Sequence, residues 1–308
     1  MIYPFYHVIS DKEPVHIKNL YKVKTSKQFR KDLDFLTKYY IPSLEIELKL
    51  KSEENLFHLS FDDGLKECYT IIAPILKEYN IKASFFINSA FVDNKNLFFR
   101  YKESVIINKI KTKKLDKAKA EQIIKLLNIN NKVEFNKIEK AILNIKYKDK
   151  YLLNQIAKII NLDFEDYLKN NEPYLTSFQI QELINEGHQI GSHSINHPLF
   201  SEINEEEQIL QTSECMKFIT DNFNVKNKLF AFPFSDNDIK KSFFNKVYSK
   251  NIIDYSFGTA GIKKDIISNN IQRIPLEKRN ISAEKYIKTE YLLYFLKKLL
   301  LKNKIYRN

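Results

Sequence analysis

Strands alternating with helices along 308 residues predict an α/β protein, a barrel of about seven parallel strands that carries a helical insertion. Three observations carry this expectation. Short runs of aromatic and β-branched residues recur between segments with helical spacing of apolar positions. The alternation stops between about Asp93 and Glu172, where the chain is Lys-rich, helical in pattern and free of glycine. Finally, only five glycines and eight prolines occur, which excludes low-complexity or linker-dominated architecture.

The elements follow in order. IYPFYHVI forms a first strand. SKQFRKDLDFLTKYY spaces Phe29, Leu33, Leu36 and Tyr40 along one helical face, with Ser26 as cap. LFHLSF (56–61) is a short strand, LKECYTIIAPILKEY a helix bent at Pro74, and ASFFIN (83–88) a buried strand. TSFQIQELINEG is a helix that stops at Gly187. Strands are expected at 189–192, 229–232, 255–258 and 271–274, helices near 204–222 and 238–250, and a helix over the last ~25 residues. The domain reading is a barrel from 1–92 and 173–290, a helical insertion at 93–172 and a basic helical tail at 291–308.

Charge follows that division. The net charge is +12, of which residues 95–172 supply +8 and residues 291–308 supply +5. No nucleic-acid motif accompanies it, so no nucleic-acid partner is expected. An anionic substrate or membrane surface suits it at least as well. The tail, YLLYFLKKLLLKNKIYR, fits an interfacial helix on an anionic leaflet, and fits rather better a barrel-closing helix with a frayed basic terminus. Cys68 and Cys215 have neither metal-ligand spacing nor a disulfide framework. MIYPFYHVISDKE lacks the features of a secretory signal, and the expectation is a cytoplasmic protein.

Two short motifs carry chemistry. Asp62 and Asp63 end a strand in FDDG, and in a barrel that end is where active sites are built. Aspartates there also cap strand-end turns. His193 and His197 stand four apart in GHQIGSHSINHP; with a carboxylate, two neutral imidazoles make a common divalent-metal set, although such a pair is also ordinary in loops.

Together, SFDDG and His193-Ser194-Ile195-Asn196-His197 resemble the polysaccharide deacetylases of the NodB-homology superfamily. The flanking phrases IKASFFIN and LINEGHQIGSHS resemble it too. The resemblance implies a distorted (β/α) barrel and a metal-dependent hydrolase of N-acyl, chiefly N-acetyl, groups on amino sugars. It implies Asp63, His193 and His197 as ligands, most readily to zinc, with Asp62 as general base. Where many relatives have Arg-x-Pro-Tyr, this chain has Ala231-Phe232-Pro233-Phe234. Phe234 is expected to lend its backbone N–H to the oxyanion, Phe232 and Pro233 to touch substrate, and Arg273 to reach Asp62 in place of the absent arginine. No histidine follows His197, although many relatives have a late one that acts as acid. Tyr6-His7 resembles a permuted subset that opens with a Tyr-His strand, so His7 is expected to be the general acid. His58 and His188 are expected to be structural, and His16 to lie in a polar loop. Arg100 and Tyr101, in a lid-like insertion, are expected to contact substrate.

The substrate expected for a cytoplasmic enzyme of surface-glycan assembly is a nucleotide- or polyprenyl-diphosphate-linked sugar. A deformylase or other C–N amidase, and a degenerate glycan-binding barrel, are the alternatives; retention of Asp62 argues against the second.

Overall fold

The computed structural model describes residues 1–46, 55–113, 115–129, 135–278 and 280–308. These form two compact units, Met1–Asp11 with Val23–Asp93 and Tyr174–Asn308, and Lys12–Lys22 with Asn94–Pro173.

The strands are β1 (Pro4–Tyr6), β2 (Ile41–Pro42), β3 (Leu56–Phe57), β4 (Ser60–Phe61), β5 (Ser84–Ile87), β6 (Gln189–Ser192), β7 (Leu229–Ala231), β8 (Tyr255–Gly258), β9 (Lys264–Asp265), β10 (Asn270–Gln272), β11 (Ile274–Pro275) and β12 (Lys304–Ile305). Eight of them form one parallel sheet in the order β10-β8-β7-β6-β5-β4-β1-β11. Only Arg273 separates β10 from β11, so the two ends of the sheet are halves of one interrupted strand. The first half pairs with β8 and the second with β1, which nearly closes a barrel. The distorted (β/α) barrel is therefore the fold.

Burial explains the strand composition. β5 is buried along its whole length, as a parallel strand covered on both faces must be. Phe61 stacks on Phe85 at 5.2 Å and Tyr6 on Phe61 at 5.9 Å, continuing the core from strand to strand. LFHLSF is not one strand: β3 pairs with β2 outside the barrel, and only β4 enters it.

The first helices of the barrel unit are α1 (Ser26–Tyr39) and α2 (Ala73–Glu78). Thr25, one residue earlier than expected, caps α1 in a capping box with Gln28. A π-helical turn at Cys68–Ile72 precedes α2, and Pro74 lies in the first turn of α2, where its missing N–H does no harm. Asp32 of α1 takes an ion pair from Lys24, a hydrogen bond from the Tyr6 hydroxyl at 3.0 Å and one from the Ala283 N–H at 2.7 Å. This buried knot ties α1 to the start of the last helix.

The second unit holds α3 (Phe99–Thr112), α4 (Lys117–Leu126), α5 (Phe135–Leu143), α6 (Tyr151–Ile159) and α7 (Phe164–Asn171) around Ile106, Ile123, Ile142, Leu153 and Ile156. His16 belongs to this unit; it stands in a turn between elements, as expected of a loop, but is buried against Tyr101 and the Tyr167 hydroxyl.

α8 (Ser177–Asn185), α9 (Glu205–Asn222), α10 (Lys241–Ser249) and α11 (Ala283–Leu299) complete the barrel unit. The tail does not end as a helix. After α11 it turns back, and β12 pairs in parallel with β9. Among the described residues, no helix is long and apolar enough to cross a membrane.

Candidate active site and metal centre

The candidate residues of the barrel converge because they stand at the carboxyl ends of its strands. Asp62 follows β4, His193 follows β6, His7 follows β1 and Arg273 breaks the closing strand.

Asp62 and Asp63 are adjacent but differently employed. Asp62 accepts both arms of the Arg273 guanidinium, each at 2.7 Å, and neither side chain is more than 2% exposed. Burial opposes ionisation of Asp62, but Arg273 and His193 hold its carboxyl below the usual range. Arg273 also donates to Ser60 Oγ at 3.1 Å and lies over the Phe5 ring at 4.2 Å. Asp63 has φ +72, which turns the chain away from the direction of Asp62. Gly64 follows with φ +61, and a Cβ there would press on Ile87 at 3.0 Å, so glycine is required.

Asp63 Oδ1 lies 3.1 Å from His197 Nε2 and 3.5 Å from His193 Nε2. One ligand atom from each of the three falls within 4.8 Å of the others, and all three residues are buried. His193 Nδ1 donates to the Ala231 carbonyl at 2.8 Å, leaving the Nε2 lone pair to face the cluster, buried and with no hydrogen-bond partner among the described residues. Burial pushes His193 down to about 4, so it is neutral and able to ligate. Burial opposes the charge of Asp63, but His197, His7 and His193 hold its carboxyl well below the usual range. One carboxylate oxygen and two imidazole nitrogens fit a divalent cation. The backbone around them is fixed: Ser194 and His197 have positive φ, Ser194 Oγ accepts from the His197 N–H at 3.0 Å, and Asn88 clamps the carbonyls of His193 and Ser194.

Parallel pairing of β1 with β11 places Phe5 beside Pro275. Two residues further along each chain stand His7 and Glu277. Glu277 accepts from the His7 backbone N–H at 2.5 Å and lies 2.8 Å from His7 Nδ1. Burial opposes the imidazolium, yet Glu277, with Asp63 and Asp62, raises His7 to about 10. Sequence reasoning missed Glu277. The signal was an acid two residues beyond Pro275, opposite His7 once the register is known.

Other placements differ from expectation. Phe232 is not a substrate contact: it is fully buried among Phe200, Phe230, Phe243 and Phe244. Pro233 is buried beside it. Phe234 alone of the three is exposed, with φ +58 and its ring 4.6 Å from that of His197. Tyr101 is 1% exposed against Phe98 and His16, so it has no surface to offer a sugar. Arg100 is engaged inside the second unit by Glu103 at 2.9 Å and the Leu143 carbonyl at 2.8 Å. His58 and His188 are buried partners of Ser84 and the Ala83 N–H.

The barrel's strand ends gather a carboxylate–imidazole donor set suited to a divalent cation, beside a second buried aspartate. Residues 49–133 and 157–249, more than half of the chain, match the family model for polysaccharide deacetylase, and the chain belongs to that family. It is thereby a deacetylase, a hydrolase of acetyl groups carried by a glycan. The fold is similar to that of Streptococcus pyogenes deacetylase PplD in complex with acetate, with 14% identity, TM-score 0.56, and 94% of this chain and 97% of that one covered. It is also similar to IcaB from Ammonifex degensii, with 13% identity, TM-score 0.54, and 94% and 95% covered. A de-N-acetylase from Aggregatibacter actinomycetemcomitans shows 16% identity, TM-score 0.53, and 94% and 98% covered. Comparison with curated proteins returned no match.

Proposed function

We propose that this chain is a metal-dependent carbohydrate N-deacetylase in which Asp63, His193 and His197 hold a divalent cation, zinc by preference. The observation that carries the reading is the gathering of those three ligating side chains within 4.8 Å of one another, next in the chain to an ionised Asp62. A divalent cation bound there supplies Lewis acidity and makes water more acidic.

The protein's own groups do the rest. Asp62 takes the proton from the attacking water, and Arg273 keeps that carboxylate ionised and oriented. The Phe234 N–H receives the negative charge that develops on the acyl oxygen. His7, protonated through Glu277, gives its proton to the departing amine nitrogen. The products are a free amino sugar and the carboxylic acid, acetate for an N-acetyl substrate.

The carrier we favour is a nucleotide- or polyprenyl-diphosphate-linked amino sugar, used in surface-glycan assembly in the cytoplasm. Support for contact with an anionic membrane comes from the end of α11. Leu292, Phe295, Leu299 and Leu301 are 59%, 60%, 81% and 84% exposed, and Lys297, Lys298 and Lys302 stand among them.

The test is acetate release by the zinc-loaded protein from N-acetylated amino-sugar oligomers and sugar nucleotides, beside their N-formyl analogues. Turnover of an acetyl substrate supports the reading. Turnover of formyl substrates alone would replace it with the deformylase alternative.

A further inference from the structure

The segment after α11 carries a buried arginine that the chemistry above does not use. The Arg307 side chain is 3% exposed, and it contacts two carboxylates that are themselves 1% and 0% exposed, those of Asp236 and Asp265. Its Nη2 reaches Asp236 Oδ2 and lies 2.5 Å from Asp265 Oδ2, its Nε lies 3.1 Å from the same Asp265 oxygen, and its Nη1 donates to the Asp236 carbonyl. The guanidinium also lies 4.9 Å from the Phe244 ring centre. Pairing of β12 with β9 delivers it there.

Asp236 and Asp265 share more than this arginine. Asn270 Nδ2 donates to both, at 3.0 and 2.9 Å, and Gln272 Nε2 to both, at 2.7 and 3.3 Å. Two carboxylates this close in a dry site repel unless a cation lies between them.

The pair leads back to the active site by two routes. Asp236 stands two residues beyond Phe234, and its Oδ1 accepts from the Thr259 N–H at 3.3 Å, while the Thr259 hydroxyl donates to the Phe234 carbonyl at 3.3 Å. The Asp236 carboxyl also lies against Gly258, where a Cβ would come within 2.4 Å of it. The Gly258 carbonyl in turn accepts from the Arg273 backbone N–H at 3.1 Å.

We infer that Arg307 is a positioning residue, a latch that fixes the Phe234 turn and, through Gly258, the Arg273–Asp62 pair. The inference rests on the deacetylase reading for its kinetic consequence only. Arg307 touches neither substrate nor a metal ligand, yet turnover depends on it.

The experiment uses the full chain loaded with zinc and compares wild type, Arg307→Lys and Arg307→Ala. It reads kcat for acetate release from penta-N-acetylchitopentaose, zinc affinity by competition, and amide exchange. A displaced turn predicts a loss in kcat on the order of 10- to 100-fold in Arg307→Ala. Zinc affinity stays unchanged, exchange quickens at 232–236, and added methylguanidinium restores part of kcat in a saturable way. Arg307→Lys, which keeps the charge and loses the fork, falls between. Wild-type kcat with unchanged exchange at 232–236 in Arg307→Ala overturns the latch. So does a parallel loss of zinc affinity with faster exchange across the whole barrel in both variants. If wild type itself releases no acetate, the deacetylase reading fails, and exchange at 232–236 still decides whether Arg307 holds the turn.

Discussion

Arg273 grips Asp62 with both arms of its guanidinium, 2.7 Å on each side, at the one residue where the closing strand of the barrel is interrupted. A single pair therefore stands at the closure of the barrel and, in the proposed mechanism, at its chemistry. Replacing Arg273 by Ala leaves a buried carboxylate uncompensated, which costs about 3–5 kcal/mol of stability. Arg273→Lys keeps the charge but not the two-point geometry. It is expected to unfold at nearly the wild-type temperature with kcat down by roughly 10-fold or more. Thermal unfolding and acetate release on the same samples check this; equal kcat in Arg273→Lys removes the positioning role.

If His7 is the acid, as proposed, Glu277 is expected to set the alkaline side of the pH profile. The folded pKa of His7, about 10, lies above its ordinary 6.5. The stability its charge contributes is complete below ~6.5 and disappears as pH rises through about 10. In the proposed mechanism, the proton for the leaving amine is lost over the same upper range. Glu277→Gln removes the anion that raises His7, so the alkaline limb of kcat/KM moves to lower pH, and the stability difference from wild type vanishes above about pH 10. An unmoved limb in Glu277→Gln detaches His7 from the acid role.

Cation binding is readable without turnover. A ligand at 100 times its dissociation constant stabilises the folded state by about 2.7 kcal/mol. Zinc should raise the unfolding temperature of wild type, a chelator should reverse the rise, and His193→Ala should show neither effect. An equal zinc-induced shift in His193→Ala places the cation elsewhere.

The exposed end of α11 has its own test. Leu292→Ser, Phe295→Ser and Leu299→Ser combined leave β12 and Arg307 in sequence and remove much of the apolar surface. Flotation with vesicles rich in anionic lipid should fall several-fold relative to wild type, and more salt should weaken the wild-type signal. Equal flotation of the two proteins argues against attachment through this helix.

The barrel was legible because parallel strands and crossover helices leave local traces. ASFFIN is a continuous apolar run, and SKQFRKDLDFL carries its helical spacing openly. The cluster was legible for a different reason: FDDG and HSINH are short and self-contained, so resemblance supplied what spacing alone left open. Glu277 and Arg307 could not be read in this way. Each depends on a register between segments far apart in the chain, His7 with Glu277 and Lys264 with Lys304. Phe232 was misjudged because its place beside Phe234 in the chain says nothing of which side of the strand end faces the core. Tyr101 and His16 were misjudged together, since each is buried against the other across a gap in sequence that no local pattern bridges.

The most direct measurement compares acetate release by zinc-loaded wild type and Asp62→Asn, with bound zinc determined in the same preparations. Asp62→Asn is expected to keep its zinc and lose roughly 10²- to 10⁴-fold in kcat, because the ligands remain while the proton acceptor is gone. Acetate release at the wild-type rate by zinc-loaded Asp62→Asn would contradict the account at its centre.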